Sequence, residues 1–472
     1  MAEKKHFLEI AVPLPIRKTF VYEIPPGMPT PVPPGQRVLV PFGRRILGGI
    51  VIGPAKTIPE GITILPVRQI LDDEFSLPEK FLSFLLWVAH YYMQPIGEVL
   101  KTALPSGTTL HTREVYSLTE EGLRALASPS LGDRETRILR SLKRRGSQGS
   151  IPGEFRKDPS FPPLLAELIG KGLIRRDEDS IKQKIDEKLV TYIVINNNVD
   201  EKKIPLTLRQ REALDFIREK GEVALSEFNQ QLKASPSIIA RLKNWGLIKI
   251  IQKEVFRRPS WEETEDWMDG PPRVLMEDQK KAIETITQTI PEGKYRPFLL
   301  FGVTGSGKTE VYLRVIEEVI ARGRQALILV PEIALTAQMV AYFRSRINCP
   351  LAVLHSGLSE GERFDEWRRI KRNLVKLVIG ARSGIFAPLS NLGIIIVDEE
   401  HDPSYKQEEK VRYHARDLAL VRGKMENALV VLGSATPSME SYYNTQEKKI
   451  RLLTLPSRID HRPLAQVQIV DM

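Results

Sequence analysis

The feature that most constrains the fold is an alternation of apolar runs and amphipathic segments that begins near residue 272. The runs are nearly continuous, and they read "PFLLFGV", "QALILVP", "VKLVIGA", "LGIIIVDE" and "ALVVLGSA". Segments with helical periodicity, such as "TEVYLRVIEEVIARG", separate them. Strands that are apolar on both faces and alternate with helices predict a parallel α/β sheet, which we assign to residues 259–472.

Two further regions precede this sheet, because a chain of 472 residues is too long for a single core. Residues 1–113 are rich in Pro and Gly, and short runs such as "FVYEI" and "QRVLVPF" predict a small β-rich domain. Residues 114–258 carry short amphipathic helices, and "LLAELIGKGLIRR" is echoed by "IIARLKNWGLIKI". Gly172 and Gly246 are expected to end these helices and lead into strands. The middle region therefore predicts an α+β winged-helix arrangement of one or two modules, which serves either DNA contact or spacing between proteins.

Composition narrows the partners and the compartment. The formal net charge is +10, which suits a polyanion such as nucleic acid, although many basic surfaces are only solvated. Cys349 is the only cysteine, so a disulfide framework and a cysteine zinc site are excluded and a reducing compartment is expected. The N-terminus lacks the apolar core of a signal peptide, and no apolar run of about 18 residues follows. A cytoplasmic protein without membrane contact is expected.

The stretch "FGVTGSGKTEVYL" follows one predicted strand and opens a predicted helix, which is the context of a phosphate-binding loop. Backbone N–H groups of such a loop and the helix N-terminus bind phosphate oxygens. Lys308 is expected to meet the β- and γ-phosphates, and the Thr309 hydroxyl to bind Mg²⁺. The predicted nucleotide-binding residues are Gly302, Val303, Thr304, Gly305, Ser306, Gly307, Lys308 and Thr309.

Three acids close a later strand in "LGIIIVDEEH". The carboxyl end of a parallel strand lies at the same sheet edge as the phosphate loop. Asp398 is therefore expected to hold Mg²⁺ and Glu399 to polarise an attacking water, which favours phosphoryl transfer to water. Asp398, Glu399 and Glu400 together need a compensating cation, and Mg²⁺ is the expected one.

"DEEH" and the downstream "LGSATPS" resemble motifs II and III of superfamily 2 helicases. Together with "LVPEIALTAQ", "IGARSGIFAPLSNLG", "RYHARDLA", "VPLPIRKTFVYEIPPGM" and "HYYMQPIGEVL", they resemble the PriA family of bacterial replication-restart helicases over nearly the whole chain. The resemblance implies a multidomain protein with an N-terminal domain that binds DNA 3′ ends, a winged-helix middle and a RecA-like (P-loop) lobe. It also implies 3′-to-5′ DNA unwinding at stalled forks, driven by ATP and Mg²⁺.

The resemblance extends to partners and to single residues. Expected partners are DNA forks, single-stranded DNA, DNA 3′ ends, single-stranded DNA-binding protein, and primosome and helicase-loading proteins. A monomer associated with the nucleoid is expected. At the ATP site it implies catalysis by Lys308, Asp398, Glu399 and His401, adenine recognition by Gln279, and coupling of hydrolysis to domain motion by Ser434 and Thr436. For DNA it implies single-strand contact by Arg382 and Ser383, and 3′-end recognition by Phe20, Val21 and Gly35. Val21 stands where the family often has an acid, so altered recognition of the terminal hydroxyl is expected.

An aromatic and basic loop follows the acids. Tyr405, Tyr413 and His414 are expected to stack on the bases of a single strand, which would report strand engagement to Glu399. The alternative is a solvated turn whose tyrosines pack on the sheet. The basic residues expected to meet phosphates are Lys406, Lys410, Arg412 and Arg416. The segment "RFDEWRRIKRN" is expected to be a solvated basic helix.

The sequence departs from the family in two ways. The family's zinc-binding cysteines are absent, and the chain stops at "VQIVDM", where a second motor lobe would begin. The arginine finger of the family is absent with that lobe, and such a residue contributes on the order of 10³–10⁵ in rate. We therefore expect this chain to bind nucleotide and DNA, to hydrolyse ATP slowly and not to unwind DNA. One alternative is a non-catalytic platform that binds forks and recruits primosome proteins. A small-molecule kinase is a third possibility, but it leaves "GSATPS" unexplained.

Overall fold

The computed structural model describes residues 5–43, 45–59, 61–71, 73–105, 110–113, 116–126, 131–144, 161–176, 180–183, 185, 187–196, 204–232, 236–257 and 274–459. The predicted boundary near residue 258 and the segment "VQIVDM" lie outside these ranges. No helix among the described residues is long and apolar enough to span a membrane. Ile185–Glu265 forms one compact unit, and Met1–Lys184 with Asp266–Met472 forms another. The division at residues 113 and 258 stays a prediction.

The N-terminal part is β-rich, as predicted. Its five strands pair antiparallel in the order β2-β1-β4-β3-β5. They are β1 (His6–Ala11), β2 (Phe20–Ile24), β3 (Arg37–Phe42), β4 (Arg45–Pro54) and β5 (Gln69–Ile70). Leu8 and Ile10 alternate along β1 and pack with Tyr22 and Val38, because successive side chains of a strand point to opposite faces. Helices α1 (Glu79–Tyr91) and α2 (Ile96–Ala103) follow, and α1 begins after Pro78.

The described residues of the next segment of this unit form two short strand pairs and three helices. The strands are β6 (Leu110–Arg113), β7 (Tyr116–Leu118), β8 (Ile174–Arg176) and β9 (Ser180–Gln183), and the helices are α3 (Glu120–Ala125), α4 (Asp133–Arg144) and α5 (Phe161–Gly170). Strand β6 pairs with β9, and β7 pairs with β8. Helix α5 is followed by Gly172, which has φ +68° and lies just before β8.

The described residues of the separate unit form a three-stranded antiparallel sheet, β11-β10-β12, packed with three helices. Its elements are β10 (Leu189–Ile195), α6 (Leu208–Lys220), β11 (Glu222–Ala224), α7 (Leu225–Leu232), α8 (Pro236–Asn244) and β12 (Ile248–Glu254). Gly246, at φ +73°, ends α8 as Gly172 ends α5. In both places the next residue donates to a carbonyl five positions back, Leu173 to Leu168 and Leu247 to Leu242, each at 3.0 Å. The two helix ends therefore share one geometry, and the winged-helix interpretation stays a prediction.

The C-terminal part is a seven-stranded parallel sheet, as the alternating pattern predicts, in the order β15-β16-β14-β17-β20-β13-β21. Its strands are β13 (Arg296–Gly302), β14 (Gln325–Leu329), β15 (Leu351–Leu354), β16 (Leu377–Gly380), β17 (Leu392–Val397), β20 (Leu429–Ser434) and β21 (Arg451–Leu455). The helices are α9 (Glu277–Thr287), α10 (Lys308–Ala321), α11 (Ala337–Arg346), α12 (Glu360–Lys371), α13 (Ala415–Glu426) and α14 (Met439–Gln446). Strands β18 (Lys406–Gln407) and β19 (Tyr413–His414) form a small hairpin. Because the sheet is parallel, β13, β17 and β20 present their carboxyl ends at one edge.

The expectation that "RFDEWRRIKRN" is a solvated helix is wrong, since α12 packs against the N-terminal part. Trp367 stacks on Phe75 with ring centroids 5.3 Å apart, and its indole N–H donates to the Ala103 carbonyl over 3.0 Å. Arg368 is fully buried and pairs with Glu74 at 2.5 Å. The basic residues of this helix misled the prediction because a buried arginine with an acidic partner is indistinguishable in sequence from a solvated one.

Candidate nucleotide site and the tyrosine loop

The phosphate loop runs from the end of β13 to the start of α10. Gly305 and Gly307 have φ +81° and +78°, a backbone conformation that favours glycine. A Cβ at Gly307 would lie 2.3 Å from Nε2 of Gln279, so a side chain there would also have to displace the end of the glutamine. Ser306 is 1% exposed, and its hydroxyl has no partner among the described residues. The loop is therefore shaped with its backbone amides and one unsatisfied hydroxyl available for a ligand.

Lys308 is the first residue of α10 and is almost fully buried. Its ammonium donates to the Gly302 carbonyl over 3.2 Å and lies 3.4 Å from Oε1 of Glu399. Thr309 follows on the first turn of the same helix. The structure thus brings the phosphate-loop lysine and the acids of "DEEH" together across the edge of the sheet.

Asp398 directly follows β17, and its N–H donates to the Leu329 carbonyl over 2.9 Å. The Tyr312 hydroxyl donates to Oδ1 of Asp398 over 2.9 Å. Burial raises the pKa of the Asp398 carboxyl, and the charge of Glu399 adds to this, whereas the Tyr312 hydrogen bond and the Lys308 charge lower it. A carboxylate held this way beside a lysine is suited to a cation.

Glu399 adopts φ +42°, an unusual value for a residue other than glycine. Its carboxylate lies between Lys308 and His401, with Oε2 3.6 Å from Nδ1 of the histidine. His401 Nδ1 lies 2.7 Å from the Ser434 hydroxyl, which also accepts the Thr436 N–H over 3.0 Å. The histidine therefore contacts "GSAT" directly, and the functional roles of His401, Ser434 and Thr436 stay predictions.

Glu400 does not belong to this open edge. It is fully buried, and Arg416 lies 3.3 Å from its Oε2. It accepts hydrogen bonds from the Ser438 N–H at 2.7 Å and from the Ser441 hydroxyl at 2.8 Å. The expectation that Mg²⁺ compensates all three acids is wrong for Glu400, because Arg416 and the first turn of α14 already do so.

The expectation that Tyr405 and Tyr413 stack on bases is wrong for this structure. Tyr405 is fully buried and donates to the main-chain carbonyls of Leu329 and Asp398, at 3.0 and 2.6 Å. Tyr413 is 4% exposed and meets Phe386 edge-on with centroids 5.1 Å apart. Burial raises the pKa of Tyr413 to about 12 and that of Tyr405 still further. Tyr405 has no exposed face and Tyr413 meets only the wall of an adjoining cavity, so the packed alternative holds.

The other residues of the loop divide into two groups. Arg416 is also nearly buried and bonds to Asp417 at 2.9 Å and to the Ser438 hydroxyl at 2.7 Å, so its expected phosphate contact is wrong as well. His414 is half-buried, burial lowers its pKa, and its N–H donates to the Tyr92 hydroxyl over 3.2 Å. Lys406, Lys410 and Arg412 are exposed, and their phosphate contacts stay predictions.

Arg382 and Ser383 line a cavity of about 530 Å³. The Arg382 guanidinium donates to the carbonyls of Ser404 and Lys406 at 2.9 and 2.8 Å, which fixes the start of the loop that carries Tyr405 and Tyr413. The cavity is lined on one side by residues around α2, Lys101 among them, and on the other by the C-terminal part. The sequence did not predict that the N-terminal part would contribute to this surface.

Gln279 lies on α9 beside the phosphate loop, as expected for a residue near the nucleotide. Its side chain accepts the Met276 N–H at 2.8 Å and donates to the Ser306 carbonyl at 2.9 Å. Adenine recognition by Gln279 stays a prediction, and the structure gives it a second task in holding the loop.

The predicted 3′-end residues lie in the N-terminal sheet. Phe20 meets Phe42 edge-on at 5.1 Å, and Val21 faces Glu9 on the neighbouring strand. Gly35 is buried at φ +87°, and a Cβ there would lie 2.0 Å from the Leu77 carbonyl oxygen. Close packing therefore accounts for Gly35, and DNA contact by all three residues stays a prediction.

Two functional features escaped sequence reasoning. Tyr312 is four residues beyond Lys308, one helical turn, and this spacing could have indicated that both side chains face the same acids. The ion pair of Glu400 and Arg416 had no such signal, since neither residue type nor spacing distinguishes a buried partner from an exposed DNA contact.

This edge of the sheet combines a phosphate loop, a strand that ends in acids, and a histidine that contacts Ser434 on the neighbouring strand β20. Together these features define a P-loop lobe of the helicase class. Comparison with known families agrees. Residues 276–445 match the family described as "DEAD/DEAH box helicase", and residues 9–105 match "3'DNA-binding domain (3'BD)" of PriA.

Two curated relatives are both described as "Replication restart protein PriA". That of Bacillus subtilis is 42% identical over 65% of this chain and 39% of its own length, and that of Synechocystis sp. is 35% identical over 96% and 55%. The solved structure of RecG bound to a three-way DNA junction shares 24% identity over 39% of this chain and 24% of its own, with a TM-score of 0.32, which supports no inference. The chain carries a match to the 3′ DNA-binding domain of PriA and is similar to a curated PriA protein over 96% of its own length, and it spans about half the length of the curated relatives that it matches.

Proposed function

We propose that this chain supplies the nucleotide-binding and DNA-binding part of an ATP-dependent 3′-to-5′ DNA helicase that acts in replication restart. The observation that carries the proposal is the 3.4 Å approach of Lys308 to Glu399, with His401 at 2.7 Å from Ser434. These contacts join a phosphate loop to two helicase motifs at one edge of the sheet. The family matches support the assignment to replication restart.

The residues at this edge fit ATP and Mg²⁺. The Ser306 hydroxyl is buried without a partner, and the side of Gly307 is closed by Gln279, so the loop is narrow and polar. Asp398 and Thr309 would provide oxygen ligands to the metal, which prefers carboxylate, hydroxyl, phosphate and water oxygens. When bound, Mg²⁺ would neutralise charge on the phosphates and so favour attack of water on the terminal phosphorus, with ADP as the leaving group.

The chain's own residues would then divide the work. Lys308 would bind the phosphates in place of its present contact with Glu399. Among the described residues, the other cationic side chains within ion-pair distance of the acids of "DEEH" are His401 and the buried Arg416. Glu399, released from the lysine, would accept a proton from water. His401 and Ser434 would transmit a conformational change at the acids to Thr436, which lies just beyond the end of β20.

DNA would be bound by three regions in this proposal. In the C-terminal part we assign single-strand contact to Arg382, Ser383, Lys406 and Arg412, which are partly or fully exposed. The N-terminal domain would bind DNA 3′ ends, which the match to the PriA domain of that description supports. The middle region would act as a winged-helix module, which its helices followed by a glycine turn and a strand support.

Partners beyond DNA follow from the family alone. We propose single-stranded DNA-binding protein and the primosome and helicase-loading proteins as partners, which the description of the relatives as replication restart proteins supports. The division into residues 1–113, 114–258 and 259–472 is part of the same proposal.

The test combines nucleotide binding with DNA-dependent turnover. We expect the chain to bind a fluorescent ATP analogue in the presence of Mg²⁺, and to bind forked DNA more tightly than duplex DNA. A folded chain that binds DNA but no nucleotide would instead support the non-catalytic platform. Nucleotide turnover that ignores DNA would support a kinase-like enzyme.

A further inference from the structure

Tyr312 occupies a position that neither the motifs nor the family match assigns. It lies on α10 one turn beyond Lys308, and it is 1% exposed. Its hydroxyl donates to Oδ1 of Asp398 over 2.9 Å. A buried hydroxyl usually finds a partner, but here the partner is the carboxylate expected to hold the metal.

The neighbouring strand leaves space for this hydroxyl at a glycine. A Cβ added at Gly433 would lie 1.6 Å from the Tyr312 oxygen, so the glycine before Ser434 makes space for it. The Gly433 carbonyl accepts the Glu400 N–H at 3.0 Å, which holds the next strand close. The Tyr312 hydroxyl oxygen on α10 therefore lies against both the acid that follows β17 and the glycine of β20.

Asp398 is fixed from a second direction by Tyr405. That hydroxyl donates to the main-chain carbonyl of Asp398 over 2.6 Å and does not donate to its carboxylate. One tyrosine therefore holds the backbone of the acid, and the other holds its side chain. The pair offers a matched comparison, because both rings are buried and both hydroxyls act on the same residue.

A neutral donor suits the task better than a cation. Asp398 lies beside Glu399, and a second lysine near them would compete with the metal for the carboxylate. A hydroxyl on Oδ1 orients the group without adding charge, and the main-chain N–H of Glu399 is a second donor to this carboxylate. Hydrogen-bonding partners of metal ligands commonly contribute about 10–100-fold in metal affinity.

We propose that Tyr312 is a positioning residue that orients the Asp398 carboxylate toward the Mg²⁺ that accompanies the nucleotide. This rests on the proposed function, and it goes beyond it in naming what sets the metal requirement. Tyr312 touches neither nucleotide nor metal in this assignment. It acts through Asp398 alone.

The experiment compares Tyr312→Phe with the unaltered chain in binding of a fluorescent ATP analogue at increasing Mg²⁺. We expect the Mg²⁺ concentration for half-maximal binding to rise about 10-fold in the variant. Binding measured in EDTA is expected to be unchanged, because Tyr312 acts only through the metal ligand. Mn²⁺ binding followed by electron paramagnetic resonance gives a readout that does not depend on hydrolysis.

Tyr405→Phe is the matched control, and it is expected to lower stability without moving the Mg²⁺ requirement. Gly433→Ala is the second variant, since its methyl group displaces the Tyr312 hydroxyl while the ring remains, and the same rise is expected. An unchanged Mg²⁺ requirement in folded Tyr312→Phe, or an equal rise in Tyr405→Phe, overturns the positioning role. Failure of the unaltered chain to bind nucleotide at any Mg²⁺ concentration overturns the proposed function instead.

Discussion

The edge that carries Lys308 and Asp398 and the loop that carries Tyr405 and Tyr413 adjoin each other, but their polar groups are used in opposite ways. At the edge, the Ser306 hydroxyl is unpartnered and Glu399 stands at φ +42°. In the loop, both tyrosines are buried, and the Tyr405 hydroxyl meets two carbonyls. Polar atoms left without protein partners indicate a ligand site, whereas satisfied ones indicate a framework.

The neighbouring acids Glu399 and Glu400 show the same contrast within two residues. Glu399 faces a lysine and a histidine at 3.4 and 3.6 Å and is partly exposed. Glu400 is fully buried and bonded to Arg416 and the start of α14. Both acids lie in the turn after β17, where Glu399 has a left-handed backbone, and there one acid faces the ligand edge while the other anchors the fold.

Lys308→Ala tests the open edge and should have the largest effect. Loss of its charge is expected to lower hydrolysis on the order of 10²-fold or more, because this cation meets charge that develops on the phosphates. Nucleotide binding and DNA-stimulated phosphate release measure the change. Lys424→Ala, an exposed lysine on α13, is the control and should leave both unchanged. Equal turnover in the two variants would contradict the assignment of this edge.

Arg416→Ala tests the framework. It leaves Glu400 buried without its cation, and breaking such a pair is expected to lower the free energy of unfolding by about 3–5 kcal/mol. Denaturant unfolding measures this, and Arg412→Ala on the same loop is the exposed control. If Arg416 serves DNA instead, the variant keeps its stability and loses affinity for single strands.

The sequence was sufficient for the parts whose chemistry is local. The phosphate loop, the acid-ended strand and the alternation of strands and helices each lie in one continuous stretch, and the structure bears out the seven-stranded parallel sheet. The contact between His401 and Ser434 joins two motifs that the sequence identifies and whose strands are neighbours. Patterns of this kind fix where a side chain must lie.

The sequence was insufficient where a partner comes from a distant element. Tyr405 looked available for stacking because its acceptors are main-chain carbonyls, which every residue has. Arg416 looked like a phosphate contact because a charge run does not show that Glu400 lies beneath it. Trp367 and Arg368 looked solvated because their partners Phe75 and Glu74 belong to the N-terminal part. Burial, which decides each case, is a property of the assembled fold.

Tyr405→Phe sharpens the contrast at a smaller scale. Removing the hydroxyl leaves the Leu329 and Asp398 carbonyls short of a donor, so the free energy of unfolding is expected to fall by about 1–2 kcal/mol. Single-strand affinity at fixed salt should stay within error, because the ring has no exposed face. Thermal unfolding and fluorescence anisotropy measure the two quantities. A drop in affinity without a drop in stability would restore the stacking role that we reject.

Paired replacement of Lys406 and Arg412 by Ala probes the exposed rim of the same loop and should have the smallest effect. Both side chains are in solvent, so stability is expected to change by less than about 0.5 kcal/mol. If each meets one phosphate, the slope of log affinity against log salt should fall by roughly one per residue removed. Lys448→Ala with Lys449→Ala, exposed beyond α14, is the matched control for lost charge. An identical salt slope in the two double variants would mean that the rim attracts DNA only through net charge, and the loop would then be framework throughout.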